Sequence, residues 1–152
     1  MILIEKVYDK ELKAKYAKEV LYDLPEWFGH PDSTAEYIKD SRAFDFWVAL
    51  DGLEIVGFVT LTNSSQDCAN VHCLGVKKVY HRSGVGNRLM MELEEYAKNI
   101  YSYIQVKTVD EGYYAEYDIT NHFYKKCGYK KLEVFPYLWD ERNPCLVLIK
   151  KL

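Results

Sequence analysis

Arg82, Gly84 and Gly86 stand two residues apart in VKKVYHRSGVGNRLMMELEEYAKNI, residues 76–100, where an apolar strand ends and an amphipathic helix begins at once. The first four N–H groups of a helix have no partner within it, and they point along the axis with the positive end of the macrodipole. Gly84 and Gly86 let backbone come close to a ligand. His81, Arg82 and Arg88 add polar or cationic donors, and Ser83, Val85 and Asn87 complete the turn. These features suit an anion, most naturally a phosphate or pyrophosphate. An ordinary strand-to-helix turn also uses glycines for tightness and carries solvated basic residues, so spacing alone leaves both readings open.

A second candidate lies just upstream. Strand alternation puts His72 on one face with Asn70 and Leu74, and an imidazole titrates where a proton acceptor near neutral pH must. A strand histidine satisfied by a neighbour is the equal alternative. Cys68, His72 and Cys73 lie close in sequence, but no second close pair completes a metal site. With Cys127 and Cys145 they read as reduced thiols, used mostly as small core residues, and no metal is expected. In LPEWFGHPDS, residues 24–33, Glu26, Trp27 and Phe28 could grip a cation with an apolar body. The same stretch could be a packed connection between helices.

The elements that must position these residues follow from periodicity. MILIEKVY is a first strand, and residues 9–23 form a helix with Leu12, Tyr16, Val20 and Leu21 on one face. Two prolines and a glycine break it, and Ser33 or Asp32 caps a second helix running to about 41. Residues 45–63 are two strands joined by Asp51-Gly52, a strong hairpin signal. SSQD is a turn, and CANVHCLGV, residues 68–76, is the strand before the glycine turn. A helix spans about 84–99 with Leu89, Leu93, Tyr96 and Ile100 as its buried stripe, and residues 102–109 form a strand. DEGYYAEYD is a polar, tyrosine-rich loop, ITNHFYKKC a short helix stopped by Gly128, and YKKLEVF and CLVLIKK are the closing strands. The order β-α-α-β-β-β-α-β-α-β-β gives an α/β domain with helices on a mixed, largely antiparallel sheet.

At 152 residues, 49% apolar and 28% charged, the chain reads as one globular domain over 1–152. Its longest apolar runs are strand-sized, well short of the roughly 18 residues of a membrane span. MILIEKVYDKELK has no signal-peptide core, so a cytoplasmic location is expected. Residues 1–66 hold 7 Lys and Arg against 12 Asp and Glu, a net of −5; residues 67–152 hold 13 against 11, a net of +2. That balance argues against nucleic-acid binding, which wants a basic face. It allows a polyanionic ligand in the second half and a cationic one beside the first, or acidic residues that simply solvate helix faces.

LGVKKVYHRSGVG resembles the acetyl-CoA segment of the GCN5-related N-acetyltransferases, the GNAT superfamily: a strand ending in apolar-x-Val, then Arg/Gln-x-x-Gly-x-Gly/Ala. FYKKCGYKKL resembles the same family's late Phe/Leu-Tyr-x-x-x-Gly-Phe signature, and the element order matches over essentially the full length. Two positions depart. His81 stands at the usual Arg/Gln place, with Arg82 next to it, and Tyr117 replaces an Asn often found seven residues before the tyrosine.

The resemblance implies an acyl-CoA N-acyltransferase fold and acetyl transfer from acetyl-CoA to a primary amine of a small molecule or peptide. It implies a phosphate cradle over His81–Arg88, and Leu74, Gly75 and Val76 running beside the pantetheine arm, with the Val76 N–H polarising the thioester carbonyl. Strands 70–76 and 102–109 would splay to admit the thioester. Tyr124 would be the general acid toward the leaving thiolate, and His72 the base, with Glu26, Glu111 and Glu116 as alternatives. Asn121 and Thr120, on the helical face of Tyr124, would replace the missing Asn. The partners implied are acetyl-CoA and an amine acceptor, with a homodimer allowed and no membrane or nucleic acid. A member that binds acyl-CoA without catalysis, as a sensor or interaction module, is the rival reading.

Overall fold

A computed structural model describes residues 1–152. The chain runs β1 (Ile2–Val7), α1 (Lys10–Leu21), α2 (Pro31–Ser41), β2 (Asp45–Asp51), β3 (Glu54–Asn63), β4 (Cys68–Val76), a 3₁₀ turn (Lys78–Tyr80), α3 (Val85–Ala97), β5 (Tyr103–Val109), α4 (Ala115–Lys126), β6 (Lys130–Asp140) and β7 (Asn143–Lys151). The seven strands form one mixed sheet in the order β1-β2-β3-β4-β5-β7-β6, with four helices flanking it. The β1–β2, β2–β3, β5–β7 and β6–β7 pairs are antiparallel. The β4–β5 pair is parallel, and its ladder covers four residues, from Cys68↔Tyr103 to Val71↔Val106.

The chain divides into two compact units. Met1–Thr62 with His72–Tyr96 make the first, and Asn63–Val71 with Ala97–Leu152 the second.

In the first unit α1 is capped by Asp9, whose carboxylate accepts the Glu11 and Leu12 N–H groups at 2.9 Å each. Such a cap is worth about 1 kcal/mol. Ala17, Val20, Leu21 and Leu24 from α1 and its exit meet Phe46, Val48, Phe58 and Cys73 from the sheet in one buried cluster. Phe46 and Phe58 stack with centroids 5.2 Å apart. Cys73, inside this cluster, is an inert core thiol whose pKa burial pushes far up. The buried face of α1 includes Lys13 rather than Leu12, which stays 40% exposed. Lys13 lays its stem inward and donates from Nζ to the Phe44 carbonyl at 2.7 Å.

Helix α2 starts one residue before Asp32 and two before Ser33, the two expected caps. Pro31 takes its first position, His30 is the N-cap, and no side chain caps it. Proline is pre-set for that place because its missing N–H would have been unpartnered anyway. The Thr34 hydroxyl instead donates to the Phe28 carbonyl at 2.9 Å. Helix α3 buries Leu89, Met90, Leu93 and Ala97; Ile100, expected in that stripe, lies beyond the helix and is 53% exposed.

In the second unit α4 begins at Ala115, four residues before the expected Ile119. The first turn absorbs Glu116 and Asp118, where acidic side chains complement the helix dipole. Asp118 also accepts the Gly112 N–H at 2.8 Å, which closes the preceding loop onto the helix. Strand β6 runs on to Asp140, five residues past the expected end. Ile104, Val106, Leu146 and Leu148 fill this unit's core with Tyr124 and Tyr129. No helix is long and apolar enough to cross a membrane.

Candidate active site

β4 leads to the glycine turn through a short 3₁₀ segment, closed by the Tyr80 N–H on Lys77 and the His81 N–H on Lys78. Arg82 has φ 63° and Gly84 φ 87°, and the chain then enters α3 at Val85. The first i→i−4 bond runs from the Arg88 N–H to the Gly84 carbonyl at 3.1 Å. The amides of Val85 and Gly86 therefore lie ahead of that ladder at the helix N-terminus. Gly84 has nothing within 4 Å of where a Cβ would stand. Positive φ, open space and a helix N-terminus together fit the phosphate groups that a coenzyme A ester carries.

The side chains of the turn divide. The Ser83 hydroxyl donates to the Tyr80 carbonyl. Arg88 reaches away, donating from Nη1 to the Ile2 carbonyl at 2.6 Å. His81 Nε2 sits 2.6 Å from the Val76 carbonyl oxygen, so that nitrogen carries the ring's proton. The main-chain amides and the exposed Arg82 stand at the turn as anion donors. Asn87 contacts Met91 Sδ at 3.5 Å through Nδ2. Gly75 serves packing: a Cβ there would meet Val20 Cγ1 at 3.0 Å and Phe58 Cε1 at 3.3 Å. Leu74 and Val76, its neighbours, are half-buried.

The exit of α1 is tied to this turn at four points. Lys77 meets Glu19 at 3.0 Å and Glu54 at 3.9 Å, and Asp23 accepts the Lys78 N–H at 2.8 Å. Lys78 also pairs with Glu26 at 2.9 Å, and the Trp27 ring meets His81 edge-on at 5.5 Å. The Lys78 hydrogen bond holds the Glu26 carboxyl below its usual range, and this exposed group is spent on a lysine. Trp27 packs on the turn in the same way, which favours the packed-connection reading of LPEWFGHPDS.

His72 is half-buried among rings. Phe44 lies 4.8 Å away and Tyr37 5.2 Å, with Phe28 against Tyr37 at 5.6 Å. Asp40 Oδ2 is 3.7 Å from Nε2, close enough for charge attraction but too far for a hydrogen bond, and Nε2 has no hydrogen-bond partner. Burial lowers the His72 pKa from its ordinary value, and Asp40 opposes that shift. A neutral imidazole at pH 7 follows, which is the form able to accept a proton. Sequence reasoning missed Tyr37, Asp40 and Phe44. Tyr37 and Asp40 are one helical turn apart on α2, and only the fold brings them to His72.

The other candidates belong to the second unit. Tyr124 is 4% exposed on α4, with Phe123 and Tyr129 at ring distances of 5.2 and 5.7 Å. Asn121, 1% exposed, donates from Nδ2 to the Val109 carbonyl at 3.0 Å, while its Oδ1 has no partner. The Thr120 hydroxyl donates back to the Glu116 carbonyl at 3.2 Å. Tyr117 leans on Tyr114. Glu111 pairs with Lys125 and with Lys131, and both hold its carboxyl below the usual range. Glu116 lies half-buried in the first turn of α4.

A strand, a tight positive-φ turn and a helix N-terminus on a mixed sheet of this order define the acyl-CoA transferase class. The family described as "Acetyltransferase (GNAT) domain" matches residues 42–131, and the chain belongs to this family of acetyltransferases. Solved structures share the fold. A GNAT-family protein from Desulfovibrio desulfuricans superposes with a TM-score of 0.82 at 14% identity, over 99% of each chain. Aminoglycoside 6'-N-acetyltransferase from Enterococcus faecium gives 0.74 at 23% identity, over 98% of this chain and 96% of its own. A GNAT-family acetyltransferase from Elizabethkingia anophelis, solved with acetyl-CoA bound, gives 0.72 at 17% over 99% and 98%. No curated protein sequence matches the chain.

Proposed function

We propose that residues 1–152 act as one cytoplasmic N-acetyltransferase domain, moving an acetyl group from acetyl-CoA directly to a primary amine of a small molecule or peptide. The observation that carries this reading is the open, positive-φ turn at Gly84 leading into α3, in a chain of the acetyltransferase family.

Acetyl-CoA supplies the activated thioester. The amides opening α3, with Arg82, hold its phosphates, and Leu74–Val76 runs beside its arm, the Val76 N–H directed at the thioester carbonyl. His72, kept neutral by burial, takes the proton that the amine loses as its nitrogen bonds to the carbonyl carbon. Tyr124 gives its phenolic proton to the sulfur as the C–S bond breaks. Preorganised donors at developing charge and placed proton carriers are the effects that lower such barriers most.

Thiol release from acetyl-CoA, followed across a panel of amines, tests the proposal. Amine-dependent release with the acetylated amine in the products is the expected result. Tight acetyl-CoA binding with no turnover on any amine would instead favour a sensor or interaction module.

A further inference from the structure

Lys6 shows how this chain holds a cation. Its ammonium lies 3.8 Å from the Tyr96 ring centroid and 5.4 Å from those of Tyr8 and Trp47, with the Asp45 carboxylate at 3.4 Å. Ring faces carry negative partial charge, and a carboxylate beside them adds a full counter-charge. The same kinds of group occur a second time around Asp40, without a lysine or arginine among them. Tyr37 lies one helical turn back on α2, and the His72 ring sits 5.2 Å from Tyr37 and 4.8 Å from Phe44. Asp40 Oδ2 is 3.7 Å from Nε2 of that ring. All four residues belong to the first unit, and each is half-buried.

No lysine or arginine of the chain pairs with Asp40. Arg42, two residues on, pairs with Glu11 at 2.6 Å, and Lys13 donates to the Phe44 carbonyl at 2.7 Å. Burial keeps His72 neutral near pH 7, so its ring carries no charge to offset the carboxylate. The Asp40 side chain is 38% exposed, enough for a ligand to reach it. A partly desolvated carboxylate flanked by rings attracts an organic cation and repels a ligand that carries its own carboxylate.

That cation is not the amine that reacts. A carboxylate in contact with an ammonium stabilises its charged form and raises its pKa, whereas attack on a thioester needs the neutral amine. The group that Asp40 holds is therefore one that stays charged. Nε2 of His72 has no hydrogen-bond partner, and it is the proton acceptor of the acetyl-transfer reading. With Oδ2 only 3.7 Å from Nε2, a nitrogen served by His72 and a cation held by Asp40 lie close enough for one short linker to join them.

We propose that Asp40, with the rings of Tyr37, Phe44 and His72, seats an organic cation. Resting on the acetyl-transfer reading, that cation is a second charged group of the acceptor, joined by a short apolar linker to the amine that is acetylated. Benzyltrimethylammonium, which cannot be acetylated, tests the seat on the full chain without acetyl-CoA, followed through the His72 imidazole signals by NMR. It should bind saturably with a Kd on the order of 1–10 mM, and benzyl alcohol at least ~10-fold more weakly. Asp40→Asn should raise that Kd at least ~3-fold with Tm nearly kept. No saturation by ~100 mM, equal affinity for the alcohol, or binding untouched by Asp40→Asn overturns the seat. Acetylation rates give the second arm. A terminal diamine should exceed the monoamine of the same chain length in kcat/KM by about tenfold, through KM, and Asp40→Asn should remove the advantage. Equal kcat/KM for the two overturns the acceptor assignment. Cation binding with no turnover on any amine would sink the transfer reading and leave the seat standing.

Discussion

Asp40 stands 3.7 Å from Nε2 of His72 without a hydrogen bond between them, so the carboxylate acts on the imidazole through charge alone. Burial is the larger influence and holds the His72 pKa below the ordinary histidine value. If His72 is the base, the acidic limb of kcat/KM lies below pH 6.5. Asp40→Asn removes the opposing influence and should move that limb to lower pH. His72→Gln should abolish the limb and cost about 10²-fold near neutral pH. A limb that survives His72→Gln assigns the proton elsewhere.

The same shift has a stability side. The folded His72 binds a proton less readily than the unfolded chain, so its contribution is whole above the unfolded pKa and is lost as pH falls through the folded one. His72→Gln should flatten the pH dependence of Tm across that acid window. An unchanged slope would place the acid sensitivity in other groups.

Gly84 and Gly86 should separate stability from binding. Gly84→Ala forces a side chain onto φ 87° and should cost roughly 1–2 kcal/mol of apo stability. Gly86 lies in the first turn of α3, where alanine is the better helix former by up to about 1 kcal/mol. Gly86→Ala should therefore hold or raise Tm while weakening coenzyme A binding, because its methyl stands between the ligand and the backbone. Calorimetric Kd values beside melting curves check both. An unaltered Kd for Gly86→Ala would show that no close approach is needed there.

Asn121 is expected to act on structure first. Asn121→Ala strips the Val109 carbonyl of its buried donor and should cost about 1–3 kcal/mol in unfolding free energy. Coenzyme A affinity should stay near wild type, measured at a temperature where the variant is folded. A large fall in affinity at unchanged stability would return Asn121 to the ligand.

Tyr124→Phe keeps the ring that packs on Phe123 and Tyr129 and removes one proton. General acid catalysis contributes on the order of 10²–10⁴-fold, so kcat should fall at least ~10-fold with coenzyme A affinity and Tm nearly unchanged. An intact kcat would mean that the thiolate leaves unassisted.

Local chemistry was legible wherever one element carries its own signal. Asp51-Gly52 marks the hairpin because β2 ends at Asp51, β3 begins at Glu54 and Gly52 sits at φ 61°. The turn at 81–87 showed its glycines and its helix, and one of the two glycines proved to need the positive φ. The starts of α2 and α4 were obscured by competing local signals. Asp32 and Ser33 look like caps although Pro31 already begins the helix, and a run of tyrosines masked the acidic first turn of α4. The surroundings of His72 had no sequence signal at all. Phe44 is placed partly by Lys13, whose Nζ bonds its carbonyl across 31 positions, and such tertiary ties leave no periodic trace.

The lysines beside the glycine turn are already matched: Lys77 by Glu19 and Glu54, and Lys78 by Glu26. An approaching polyanion therefore meets little unbalanced charge, and long-range steering through the ionic atmosphere is weak. What remains is the single charge of the exposed Arg82 and the field of a few aligned amides, the latter acting within a few ångströms, inside the ~8 Å screening length of physiological salt. Association at this turn should depend only shallowly on ionic strength, and its selectivity rests on the fit of a phosphate group against main-chain amides rather than on the number of charges that the ligand carries.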